Sequence, residues 1–105
     1  FLAYAHRVMN QHMGNEQLSL DHCAHHFGIS AATLKRKFKQ HHTSYQQQLD
    51  WCRMLAAMSA LHLEDKSNEQ AAQSIGFNDT TNFRRAFKRW TGLLPSHFRE
   101  RYACF

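Results

Sequence analysis

Apolar side chains recur along this chain at helical spacings of three and four, with no sustained alternating run that would predict a strand. Leu2, Ala5, Val8 and Met9 share one face of a first predicted helix, from Phe1 to about Met13, which Gly14-Asn15 ends. Leu20, Cys23, Ala24 and Phe27 form a second stripe behind Ser19, a residue suited to cap a helix start. Gly28 supplies a turn. Ser30 then opens a third helix, to about His41, with Ala31, Leu34 and Phe38 inside and Lys35, Arg36 and Lys39 outside. Ser44 caps a long fourth helix, to about Leu63. Its Leu49, Cys52, Met54, Leu55, Ala56, Met58, Ala60 and Leu61 cover a wide arc and predict burial on two sides. After the polar link Glu64-Asp65-Lys66, Ser67 caps a fifth helix holding Ala71, Ala72 and Ile75, ended by Gly76. Asp79 or Asn78 caps a sixth, to about Trp90, with Phe83, Ala86, Phe87 and Trp90 at i, i+3, i+4 and i+7. Gly92 ends it, and Pro95 stands at the start of a last short helix carrying Phe98 and Tyr102. The predicted fold is all-α, with about seven helices.

One pattern occurs twice. Ala24, Gly28, Leu34, Lys35, Arg36, Phe38 and Lys39 recur as Ala72, Gly76, Phe83, Arg84, Arg85, Phe87 and Lys88. The offset is 48 residues up to the glycine and 49 after it, so the second turn is one residue longer. Small residue, glycine turn, then a helix with an apolar stripe beside a basic one is the outline of a helix-turn-helix. The expected organisation is a first subdomain over 1–43, a linker helix over 44–64 and a second subdomain over 65–105. A linker of roughly 20 residues at ~1.5 Å each spans about 30 Å. Successive major-groove faces of B-DNA lie ~34–36 Å apart, so such a connector suits two reading helices on one side of a duplex.

Charge sharpens this. The 105 residues carry a formal net charge of +5 with neutral histidines, a balance that favours polyanions such as nucleic acid or an anionic membrane surface. No stretch approaches the ~20 apolar residues of a membrane span. His6, Arg7 and His12 interrupt the first segment and argue against a signal peptide. The three cysteines, Cys23, Cys52 and Cys104, form no CxxC unit and read as reduced thiols, which points to a cytoplasmic protein, nucleoid-associated when bound to DNA. The start at Phe1 rather than Met leads us to expect a piece of a longer protein.

The sixth helix holds the densest chemistry. Arg84, Arg85, Lys88 and Arg89 lie in adjacent rows beside the apolar stripe, and the helix has no acid after Asp79 to neutralise them. Arginine binds guanine O6 and N7 bidentately. Thr80 and Thr81 stand at the helix start, where N-terminal amides favour phosphate. In the third helix Ala32 and Thr33 are small enough for close approach to base edges, while Lys35, Arg36 and Lys39 bring charge and Lys37 points elsewhere. His22, Cys23, His25 and His26 are metal-capable residues, but Cys23 belongs to the core stripe and two histidines fall short of a structural site, so no metal is expected. They read as a wet face; His6, His12, His41, His42, His62 and His97 read as surface residues, and Gln40 and Gln46 to Gln48 as solvated helix. With no HExxH, GxSxG or phosphate-cradling glycine loop, neither an enzyme nor a cofactor is expected. The rival class is a helical protein-interaction module whose basic faces dock acidic partners.

Ile75-Gly76-Phe77-Asn78-Asp79, Phe83-Arg84-Arg85-Ala86-Phe87-Lys88, Gly92, Pro95-Ser96 and Phe98-Arg99 together resemble the signature of the AraC/XylS family of bacterial transcription regulators. Phe27-Gly28-Ile29-Ser30, Leu34, Phe38-Lys39, Arg53-Met54, Ala57 and Leu61 extend the match, which covers about Leu18 to Arg101. The resemblance implies a domain that binds double-stranded DNA through two homeodomain-like helix-turn-helix subdomains. It places Ala32, Lys35 and Arg36, then Thr80, Thr81, Arg84 and Arg85, toward bases. It also implies transcriptional activation through RNA polymerase and a separate N-terminal effector or dimerisation domain. The chain departs from the family pattern in three places. His41-His42-Thr43-Ser44 lacks the usual glycine, Gln48 replaces an aromatic, and Asn68 and Ala71 replace larger aliphatics.

Overall fold

A computed structural model describes residues 1–15 and 18–102; Cys104, one of the predicted thiols, lies outside them. The described residues form seven helices and no strand: α1 (Leu2–Gln11), α2 (Leu20–Phe27), α3 (Ala31–Gln40), α4 (Tyr45–His62), α5 (Asn68–Ser74), α6 (Thr80–Thr91) and α7 (Pro95–Tyr102). Side-chain oxygens set most of the starts by accepting the otherwise unpaired amide three residues on. Ser19 accepts from the His22 amide, Ser30 from Thr33 and Ser44 from Gln47, each at 3.1 Å. Ser67 accepts from Gln70, whose side chain returns the bond to the Ser67 amide at 3.0 Å, a complete capping box. Asp79, not Asn78, caps α6, through a 2.7 Å bond from the Asn82 amide.

The chain divides into two compact units, Phe1–Cys52 and Arg53–Phe105, so the division falls inside α4. In the first unit Val8 and Met9 of α1, Cys23 and Ala24 of α2, Leu34 and Phe38 of α3, and Leu49 and Cys52 of α4 close one core. The Phe1 ring covers its edge, packing on Phe27 at 5.4 Å and Phe38 at 5.0 Å and stacking on His41 at 5.0 Å. Burial pushes the Cys23 and Cys52 thiols above their ordinary pKa, which makes them poor nucleophiles. In the second unit Ala57, Ala60 and Leu61 of α4 join Ala71, Ala72, Ile75, Phe83, Ala86, Phe87 and Phe98. The rings of Phe83, Phe87 and Phe98 follow one another at 5.9 and 5.4 Å. The half-buried Asn68 is a polar tie between α5 and α7, since the Arg99 guanidinium donates to its side chain and to the Lys66 carbonyl.

α4 departs in part from its predicted burial. Trp51 and Leu55 are 51% and 46% exposed, so the predicted burial does not extend to Leu55. Gln48, expected to be solvated, is half-buried: it donates to the Thr43 hydroxyl at 2.8 Å and meets the His6 ring. A polar bridge stands at the position where the family's aromatic is usual.

The two glycine turns are built alike. Gly28 and Gly76 adopt φ of 68° and 93°, and in each the following amide, of Ile29 or Phe77, reaches back to the carbonyl of Ala24 or Ala72. The first turn then caps at Ser30 and the second at Asp79, one residue later relative to its glycine. The same bonds recur after α3, where the Thr43 amide reaches Phe38 and His42 reaches Lys39, but here His42 takes the left-handed position at φ 59°. A non-glycine residue there costs ~1–2 kcal/mol, while glycine loosens the unfolded chain by about 0.4–1 kcal/mol. His42→Gly is therefore expected to stabilise the domain by about 0.5–1 kcal/mol, read as a raised urea midpoint with unchanged slope.

Candidate nucleic-acid interface

α3 and α6 each bury one stripe and present the opposite one. On α3 Leu34 and Phe38 are buried, while Ala32, Lys35, Arg36 and Lys39 are exposed and Thr33 is half-buried. The Thr33 hydroxyl accepts from Ser30 at 2.9 Å and from the Arg36 guanidinium at 3.1 Å. Thr33 thus anchors the Arg36 guanidinium to the start of α3. Ala32, Lys35, Arg36 and Lys39 line a concavity of about 410 Å³ with Thr43 and Ser44. Ser44, the cap of α4, also stands beside α3 because the exit turn between them is tight, a placement that no local sequence pattern reports.

On α6 Phe83, Ala86 and Phe87 are buried, while Thr81, Arg84, Arg85 and Lys88 are exposed and Thr80 is half-buried. Arg89, on the adjoining row, is exposed as well. The ion pairs among the described residues join Lys66 to Glu64 at 3.4 Å and Arg99 to Asp65 at 4.0 Å. The cations of α3 and α6 therefore have no carboxylate partner among those residues. Each helix carries an uncompensated positive row backed by a rigid core, which is the electrostatic footprint of a polyanion-binding face. At the α6 start the Asp79 carboxylate binds the Asn82 amide and side chain, at 2.7 and 3.1 Å, which sets a negative group at this helix end beside Thr80 and Thr81. The ten predicted contact residues thus fall into two sets of five, one on each helix.

The predicted wet face holds for His25 and His26, which are exposed, while His22 is half-buried. Cys23 is fully buried in the first core. His22 and His26 instead gather with His12, half-buried at the end of α1, their rings 4.7–4.9 Å apart. Burial, then the neighbouring His12, His26 and His25, hold His22 below its ordinary pKa. His6 and His62 are also half-buried rather than on the surface, His62 against Phe98 and Tyr102, whereas His41, His42 and His97 are exposed. Among the described residues no helix is long and apolar enough to cross a membrane.

Residues 23–101 match a family of helix-turn-helix domains. The ornithine utilization regulator of Pseudomonas aeruginosa is 41% identical over 81 residues, 77% of this chain and 24% of its own length. The transcriptional regulator GadX of Escherichia coli is 30% identical over 96 residues, 91% of this chain and 35% of its own. The chain thus spans about a quarter to a third of these relatives. Among solved structures, a DNA-binding transcriptional dual regulator from Escherichia coli superposes with a TM-score of 0.92 at 28% identity, covering 99% of this chain and 93% of that one. The DNA-binding domain of AdpA, solved with a target DNA, gives 0.83 at 27% identity, covering 98% and 93%.

Proposed function

The chain belongs to the AraC-type helix-turn-helix family of DNA-binding transcription regulators, which are not enzymes, and from that premise we propose how it reads DNA. α3 and α6 enter successive major-groove faces of one double-stranded site. Arg36, Arg84 and Arg85 read base edges, with Lys35 on the adjoining row of α3; Ala32, Thr80 and Thr81 permit close approach, and Thr33 positions Arg36. Lys39 and Lys88, one turn further on, neutralise phosphates and release counterions. The observation carrying this reading is the pair of exposed cationic rows on helices whose other faces build the cores. The reading extends to a cytoplasmic activator that recruits RNA polymerase and works with an N-terminal effector or dimerisation domain. The relatives' greater length supports that last element.

Selection of bound sites from a random duplex library, followed by footprinting, tests the reading. Two preferred segments about one helical turn apart are expected. Binding that is salt-sensitive but shows no sequence preference would instead mark a basic module that docks polyanions without reading them.

A further inference from the structure

Three histidines from two helices converge on one point of the first unit, away from the reading rows. His12 follows the last turn of α1. His22 and His26 lie four residues apart on α2, so their rings project from one side of that helix. One ring nitrogen of each lies within 4.8 Å of the corresponding atoms of the other two. The Nε2 atoms of His22 and His26 are 3.3 Å apart.

That distance has a direct chemical meaning. Zinc–imidazole bonds run ~2.0–2.1 Å, and two ligands at tetrahedral corners then stand about 3.3–3.4 Å from each other. The α2 pair already has the spacing of two ligands on one ion. His12 has to approach slightly, a side-chain rotation within reach of a half-buried ring. Imidazole nitrogens without carboxylates select late divalent transition metals over Mg²⁺ or Ca²⁺.

We propose that His12, His22 and His26 bind one divalent late transition-metal ion, with Zn²⁺ the reference case. The ion takes three imidazole nitrogens and leaves a fourth position to water. It ties the end of α1 to α2, the helix whose glycine turn leads into α3. Stability of the first unit, and with it the support of the α3 reading face, becomes dependent on metal through linkage. The site is independent of the DNA-reading proposal, because it requires only the fold.

The test is calorimetric titration of the untagged, metal-stripped chain with Zn²⁺, with Co²⁺ absorption as a second readout. One equivalent per chain is expected, with a tetrahedral or five-coordinate Co²⁺ spectrum and a thermal midpoint that rises with Zn²⁺ concentration. Mg²⁺ should give no saturable binding. Loss of an outer-shell partner weakens metal sites about 10–100-fold, so His12→Gln, His22→Gln and His26→Gln should each weaken Zn²⁺ binding by roughly tenfold or more. His26 is exposed, so its variant cannot fail merely through a damaged core, and circular dichroism checks the others. His41→Gln with His42→Gln should leave binding unchanged. Absence of stoichiometric binding overturns the proposal. So does binding indifferent to His12→Gln, which would reduce the site to a surface histidine pair, or binding lost in the His41/His42 control.

Discussion

Phe87→Ala is expected to destabilise the second unit by about 3–5 kcal/mol, the range for removing a large aromatic from a packed core. Phe87 is fully buried, with Phe83 and Phe98 at 5.9 and 5.4 Å on its two sides. Its ring links the apolar stripe of α6 to α7. The buried alanines of this unit, Ala71, Ala72 and Ala86, have no side-chain length with which to fill a void. Whole domains are stable by only ~5–15 kcal/mol, and a domain this small sits at the low end. Much of the second unit's stability should go, and α6 should lose the support that aims its arginines. Urea denaturation followed by circular dichroism measures the loss. Phe87→Leu, which keeps most of the volume, should cost less than half as much. A cost below about 1.5 kcal/mol for the alanine variant would show that the aromatic row is not the keystone of this core. Because the first unit has its own core around Phe38 and Leu34, its helices should outlast those of the second.

Local rules made most of the fold readable. Ser19, Ser30, Ser44 and Ser67 each announce a helix, because an N-cap acts within three residues and needs no tertiary partner. The buried faces of α3 and α6 follow from their 3.6-residue stripes, and the exposed cations from what those stripes leave over. What sequence could not give lies between elements. His12 meets His22 and His26 only when α1 packs on α2, and Gln48 meets His6 across 42 residues. Leu55 has the composition of a core residue, yet burial is decided by whether another element arrives at its side of α4. His42 shows a further limit. The turn after α3 keeps the hydrogen bonds of a glycine-ended helix without the glycine, and so carries a strain of ~1–2 kcal/mol at His42.

Replacing Arg84 and Arg85 together by alanine should weaken binding to the selected site roughly 30- to 10⁴-fold, since each good arginine–guanine pair is worth ~1–3 kcal/mol. Both side chains are exposed, no carboxylate among the described residues holds them, and the buried Phe83, Ala86 and Phe87 fix the helix beneath. The substitution therefore acts on binding rather than on folding. The manner of the loss identifies the contact. If both arginines read bases, repeated site selection should return one segment with degraded preference and the other intact. If both instead sit on phosphates, the preference stays sharp and the dependence of log affinity on log salt flattens by about 1.8, at ~0.9 per contact. A mixed pair gives a partial flattening with one blurred position. Lys37→Ala, exposed on α3 but off its reading row, should lose little by comparison. Unchanged affinity and unchanged preference in the double variant would take α6 out of the interface altogether and leave the family's second reading helix without a role in this chain.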